Sequence, residues 1–279
     1  MSSSTYVKVI TAPSFSPAAI FRNVLDLGRY TDLLYTLSLH RIKVRYKQSM
    51  LGLAWALLQP LLLMLVYTVI FSLFAKISTN GPPYPVFVYS SVLIWSLFST
   101  GLTNIAMSMT HHRELITKVY FPREILPLTY VVAAVFDLLV ASVILGALMA
   151  YYRLPLTWNA VFAFPVVLIA MTFVTGLGLV LSAVQVRYRD IGLAMPLVLQ
   201  LWMFATPVVY PLSAVPAKYR GLYDLNPMVG VVENFRRVVV LGEAPEFPSL
   251  ARAALVSCFL LLLSYLYFKN REATMADII

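Results

Sequence analysis

The chain has 279 residues, 60% of them hydrophobic and 12% charged, with a formal net charge of +9. A soluble domain carries about 45–50% apolar and about 25% charged residues, so the missing charge points to lipid as the solvent. The bases sit between apolar runs, which gives them to membrane topology and anionic lipid rather than to nucleic acid.

The first 17 residues are polar and lack an apolar core, so no cleavable signal peptide is expected. Ser16-Pro17 reads as an N-cap followed by a proline in the first turn. Ile20, Val24 and Leu27 then recur at helical spacing, with Arg22, Asp26 and Arg29 off that face. This predicts an amphipathic helix in the cytoplasmic interface; a soluble helix packed on a partner fits the same pattern. Four bases follow, Arg41, Lys43, Arg45 and Lys47. They abut the apolar run 51–75, which only Gln59-Pro60 interrupts and which is long enough to cross a ~30 Å hydrocarbon core.

Five more apolar runs occupy about 86–107, 126–151, 161–185, 191–212 and 250–268, with proline or glycine breakers at the joints. The expectation is an all-α membrane protein of six transmembrane helices, with a cytoplasmic segment over 1–50 and a transmembrane domain over 51–279. With the N-terminus in the cytoplasm, 14 of the 21 Lys and Arg residues fall on that side, which orients both termini inward. The connection 213–249 is too long for a turn. Asn226-Pro227 is a second N-cap pair, and Met228, Val231, Val232, Phe235, Val238 and Val239 form an apolar face opposite Glu233, Asn234, Arg236 and Arg237. Gly242 is placed as a C-cap. A short helix that is re-entrant or lies flat at the outer face is expected there, with another over 217–222.

Little in the chain looks catalytic. Cys258 is the sole cysteine and excludes an internal disulfide; His40, His111 and His112 stand among bases, which argues against a metal site. No phosphate-cradling glycine loop, nucleophile elbow or zinc-binding helix motif occurs, so any ATPase must be another polypeptide. Asp137 is the one acid well inside a span, a functional candidate that also suits helix–helix hydrogen bonding. The segment from His111 to Glu124, with His112, Arg113, Glu114, Lys118, Tyr120, Arg123 and Glu124, mixes charge with exposed apolar residues and suits a short helix seated in a protein groove. Tyr67, Phe71, Trp202, Phe204 and Tyr210 are candidate linings for a sliding sugar polymer, though interfacial belts use the same residue types. The cluster Arg41, Lys43, Arg45 and Lys47 suits either a pyrophosphate or anionic lipid.

Six blocks in order carry a resemblance. They are Arg45-Tyr46-Lys47-Gln48-Ser49-Met50-Leu51-Gly52 with Trp55 and Pro60; Lys118 through Pro127; Val186-Arg187-Tyr188-Arg189-Asp190; Leu199-Gln200-Leu201-Trp202; Thr206-Pro207-Val208-Val209-Tyr210-Pro211; and Asn226-Pro227. With these the chain resembles the membrane subunit of polysaccharide-exporting ABC transporters, over roughly residues 40–270. The resemblance implies two copies around a channel, two copies of a separate ATP-hydrolysing subunit holding ATP and magnesium, and no cofactor on this chain. It implies a coupling helix at His111–Glu124, an interface helix before Arg45, and gate helices at the periplasmic mouth, here Asn226, Pro227, Phe235 and Arg236. The implied substrate is a polyprenyl-pyrophosphate-linked glycan crossing the bacterial inner membrane. A drug or lipid exporter is the nearest alternative; a membrane glycosyltransferase would need acidic pairs that this chain lacks, and a secondary transporter would show inverted repeats.

Overall fold

A computed structural model of the chain describes residues 27–47, 50–74, 81–119 and 121–278. Of the interface helix expected from Ser16 through Leu27 and Arg29, the part before residue 27 lies outside the described residues. A turn at Gly28–Tyr30 leads into α1 (Thr31–Lys47), which holds all four clustered bases. Then follow α2 (Ala54–Tyr67), which continues as a wider π-helical stretch to Phe74, and α3 (Tyr84–Ala106). Two short helices, α4 (Ser108–His111) and α5 (Arg113–Lys118), connect α3 to α6 (Ile125–Tyr151). The remaining helices are α7 (Ala163–Arg187), α8 (Asp190–Phe204), α9 (Ala217–Tyr223), α10 (Pro227–Arg236) and α11 (Phe247–Ile278). No strand occurs among the described residues.

Five helical stretches are long and apolar enough to span: Ala54–Ser72, Tyr84–Ala106, Ile125–Tyr151, Trp158–Arg187 and Phe247–Glu272. The fifth expected span, 191–212, is instead the 15-residue helix α8, about 22 Å long and short of a full crossing. Thr206-Pro207 explains the stop. Proline lacks the N–H that the next helical bond requires, and it pushes the residue before it toward extended backbone. The short elements expected between the last two long runs are present as α9 and α10. Asn226 accepts from the Met228 amide at 3.1 Å as the N-cap of α10. A π-helical turn, Arg237–Leu241, extends α10 to Gly242, whose φ of 68° caps the end in the left-handed region.

α3 is the central helix: 78% of its apolar window is buried, against 11% for the stretch beginning at Ala54. It is apolar or small on all sides, the pattern of a helix enclosed by others. α7 lies between α3 and α11, and glycines set both approaches. A Cβ at Gly178 would stand 2.4 Å from Ile105 Cγ2, and one at Gly176 would stand 2.9 Å from Leu261 Cα. The α1, α5 and C-terminal α11 segments gather around a second apolar cluster built on Met109, Ile116, Phe121, Ile125 and Phe268. α10 packs against α3, α7 and α11 toward their other ends.

Candidate functional site

At the basic end, α1 lays Arg41 and Arg45, one turn apart, against α6. The Arg41 guanidinium sits 3.1 Å over the Tyr130 ring. Its Nε donates to Thr129 Oγ1 at 3.1 Å and its Nη2 to His112 Nε2 at 2.7 Å. Arginine can only donate, so Nε2 of His112 accepts with its lone pair and the ring is neutral. Burial, then the adjacent Arg41 charge, lowers the His112 pKa to about 4. Burial also lowers the pKa of Arg41.

Arg45 reaches Asp137, Nη1 to Oδ2 at 2.6 Å, and the Tyr46 hydroxyl donates to the other carboxylate oxygen. Burial and that carboxylate push the Tyr46 phenol up. Asp137 stands three turns into α6, about 18 Å along the helix from Ile125. Lys43 and Lys47 are exposed and form no ion pair among the described residues. Two of the four clustered bases are thus engaged within the chain and two are open.

The expected contact segment divides in the same way. On α5, Arg113, Glu114 and Lys118 face outward, while Ile116 is buried. The Glu114–Lys118 pair, 3.3 Å long and 88% and 72% exposed, adds at most a few tenths of a kcal/mol and leaves both side chains available to a partner. Arg123 and Glu124 turn inward. Glu124 is 2% exposed and pairs with Lys269 Nζ at 2.7 Å, while Lys269 also holds Glu272 at 2.8 Å. The Arg123 amide donates to Glu272 Oε1 at 3.1 Å, and its side chain donates to the Glu272 carbonyl. Burial raises the Glu124 pKa against the pull of Lys269. Both residues therefore anchor α11 to the start of α6 and present no free carboxylate. Tyr120 lies outside the described residues.

At the opposite end, the non-helical stretch after α8 is buried; Thr206, Val208 and Val209 have no exposed surface. Its carbonyls must find protein donors, and they do. Tyr210 donates its hydroxyl to the Phe204 carbonyl at 2.6 Å, Tyr84 to that of Val209 at 2.7 Å, and Arg236 to that of Pro207 at 2.7 Å. Asn226 Nδ2 donates to Thr206 Oγ1 at 3.0 Å. Arg236 is 2% exposed, with further bonds to Ser91 Oγ at 2.9 and 3.2 Å and to Glu233 at 3.0 Å, and it stacks 3.8 Å from the Phe87 ring. The expected polar face of α10 is therefore partly internal. Asn234 is also buried and receives the Glu246 amide at 2.7 Å. Pro227 and Phe235 pack inside with the apolar face.

Of the candidate lining residues, Tyr67, Phe71 and Trp202 are half-buried, and Phe204 is exposed. Trp202 meets Phe98 and Phe173 edge-on at 5.0 and 6.1 Å. The Tyr67 hydroxyl contacts Met203 Sδ at 3.5 Å, joining α2 to α8. Tyr210 also hydrogen-bonds Tyr223 of α9 at 3.0 Å. The partners Thr129, Tyr130, Ser91, Lys269 and Glu272 were not anticipated. Only Asp137 left a signal, because a lone acid inside a span calls for a base.

An apolar bundle of spanning helices, with a basic helix and a short exposed charged helix at one end and a buried polar knot at the other, defines a polytopic membrane protein. The ABC-2 type transporter family model matches residues 32–240, and the chain belongs to that family. The O-antigen export system permease protein RfbA of Myxococcus xanthus is 35% identical over 261 residues, covering 92% of this chain and 99% of that relative. A protein of the same name from Klebsiella pneumoniae is 29% identical over 167 residues, or 60% of this chain and 64% of that relative.

Proposed function

We propose that this chain is the channel-forming permease subunit of an ATP-driven exporter that carries a polyprenyl-pyrophosphate-linked, O-antigen-like polysaccharide across the bacterial inner membrane. The observation that carries the reading is the near end-to-end match to a permease whose name states O-antigen export. Two copies form the channel, and two copies of a separate ABC ATPase supply ATP hydrolysis with magnesium; this chain is not an enzyme. The α1 end and both termini face the cytoplasm. There Arg113, Glu114 and Lys118 of α5 meet the ATPase, and Arg123 and Glu124 brace that helix against α11. Tyr67, Phe71 and Trp202, half-buried on the packed stripes of α2 and α8, edge the path between copies together with the exposed Phe204 and with Tyr210 beyond the end of α8. α10, through Asn226, Pro227, Phe235 and Arg236, is the re-entrant gate element at the periplasmic mouth.

The test is reconstitution with the cognate ATPase in proteoliposomes supplied with lipid-linked polysaccharide. ATP-dependent protection of the glycan from an external glycosidase is expected. ATP-driven movement of lipid or drug without glycan would overturn the reading. Glu114→Lys is expected to retain assembly and basal ATPase activity while losing export; undiminished export would remove α5 from the coupling contact.

A further inference from the structure

A small cavity of about 40 Å³ lies where α2, α3 and α6 meet, beside Arg45 and Asp137. It has room for about two waters. Its walls are unusually polar for a site between spans. Pro60 has no N–H, so the carbonyl of Ala56, one turn before it, loses its helical partner, and both residues line the cavity. Ser96 and Thr100 of α3 also line it. Elsewhere on α3, Ser90, Ser91 and Thr103 donate back to carbonyls of their own helix. Ser96 and Thr100 have no hydrogen-bond partner among the described residues, so their hydroxyls remain free to serve the cavity. The site thus offers hydroxyls, a freed carbonyl and a carboxylate to whatever polar group enters.

The two engaged arginines differ in how firmly they are held. Arg41 is pinned by an aromatic face and two side-chain acceptors on separate segments. Arg45 has a single carboxylate partner, and the pair is 40% and 21% exposed. Asp137 does not depend on Arg45 alone, because Tyr46 donates to its second oxygen. A phosphate oxyanion carries more charge than a carboxylate and accepts a bidentate guanidinium, so it competes well for a half-exposed arginine. The open bases Lys43 and Lys47, two residues to either side of Arg45, point away from it on the helix and add only longer-range positive potential at this end of α1.

From this arrangement we infer that Asp137 is an internal stand-in for a lipid phosphate. Its carboxylate occupies Arg45 while the site is empty, and an incoming lipid-borne phosphate oxyanion displaces it. The released carboxylate keeps Tyr46 and is hydrated by water in the cavity beside Pro60. The exchange leaves the Tyr46–Asp137 hydrogen bond as the remaining tie between the end of α1 and α6, so arrival of the headgroup loosens α1 against the first three spans. This inference rests on the proposed export of a pyrophosphate-linked glycan and takes the basic helix α1 as the place that receives its headgroup. The same chemistry would serve an anionic phospholipid.

The test uses the chain with its ATPase in nanodiscs of zwitterionic lipid, titrated separately with undecaprenyl pyrophosphate and with phosphatidylglycerol. Asp137→Asn removes the competing charge and keeps a hydrogen-bonding group. It is expected to tighten pyrophosphate binding about tenfold, the worth of one charge-assisted hydrogen bond. Arg45→Gln is expected to weaken binding, and the double variant to behave as Arg45→Gln. If Arg45→Gln weakens binding but Asp137→Asn does not tighten it, the exchange is overturned and the pyrophosphate reading stands. If neither variant changes binding, both fall. Tightening toward phosphatidylglycerol alone supports the exchange and overturns the pyrophosphate reading. A measurement on the unaltered chain guards against misfolding of the variants. Labelling of Asp137 by a hydrophobic carbodiimide, read by mass spectrometry, is expected to rise when the phosphate lipid is added, and unchanged labelling overturns the exchange.

Discussion

Replacing Arg236 by Met should loosen the α10 end of the bundle more than any other single change considered for it. The side chains are close in length, so the substitution removes the charge and its hydrogen bonds with little loss of volume. Three losses are visible in the structure. The buried Pro207 carbonyl loses its 2.7 Å donor and is left unsatisfied, at about 1–3 kcal/mol. The stack on Phe87 at 3.8 Å disappears, at about 1–2 kcal/mol for a desolvated cation on a ring. Glu233 loses its partner, but its side chain is 29% exposed and hydrates, so that pair counts for little. Ser91 keeps its bond to the Phe87 carbonyl at 3.1 Å and is not orphaned. The total is about 2–5 kcal/mol, overlapping the range for breaking a buried ionic site. Arg236→Lys retains the charge without the planar fork and should lose about half as much. The assay is unfolding in mixed micelles by SDS titration, followed by helicity, alongside ATP-dependent export. A Met variant within about 1 kcal/mol of the parent, with normal export, would refute the claim that this guanidinium holds α3, α10 and the end of α8 together.

Three other outcomes are expected. His112 should titrate near pH 4 by NMR, and Arg41→Met should move it up toward the ordinary 6.5. Because the folded pKa is the lower one, the neutral contact contributes fully above about pH 6.5 and is lost as pH falls toward 4; a His112 midpoint unaffected by Arg41→Met would remove Arg41 as a cause. Lys269→Met should destabilise by about 3–5 kcal/mol by leaving Glu124 buried and unpaired, whereas Glu124→Leu with Lys269→Met should recover most of that loss in the same SDS titration. Gly176→Ala should destabilise strongly, since its Cβ meets Leu261 backbone at 2.9 Å, while Gly146→Ala, with nothing within 4 Å, should be neutral or slightly stabilising; equal effects at the two sites would contradict the packing of α7 on α11.

How much was legible beforehand follows from which interactions are local. Spans of 20 or so apolar residues, the Asn226-Pro227 start of α10 and the Gly242 stop are encoded within one turn or one run of sequence, and each appears where its residues stand. The stop of α8 was equally local. Pro207 was visible in the sequence, but the hydropathy of 191–212 masked it, because an apolar run signals burial whether or not the backbone stays helical. The short breakers between elements constrain the chain to helices whose ends lie close together. These properties depend on backbone hydrogen bonding and solvent transfer, which a residue carries with it.

Tertiary structure alone decided which polar groups are spent and which are open. Arg41, Arg45, Lys43 and Lys47 read as one basic cluster, yet partners 71 to 92 residues away, His112, Thr129 and Asp137, take up two of them. Arg236 reads as the solvated side of an amphipathic helix, yet Ser91, 145 residues distant, makes it interior. Charge pairing depends on which helices adjoin, and adjacency is set by glycine approaches and side-chain fit summed over the whole bundle. Sequence by itself thus determined that the chain is a helical membrane protein with a basic segment ahead of its first span. Only the packed structure determined that Arg41 is held by an aromatic face and two acceptors while Arg45 rests on a single carboxylate.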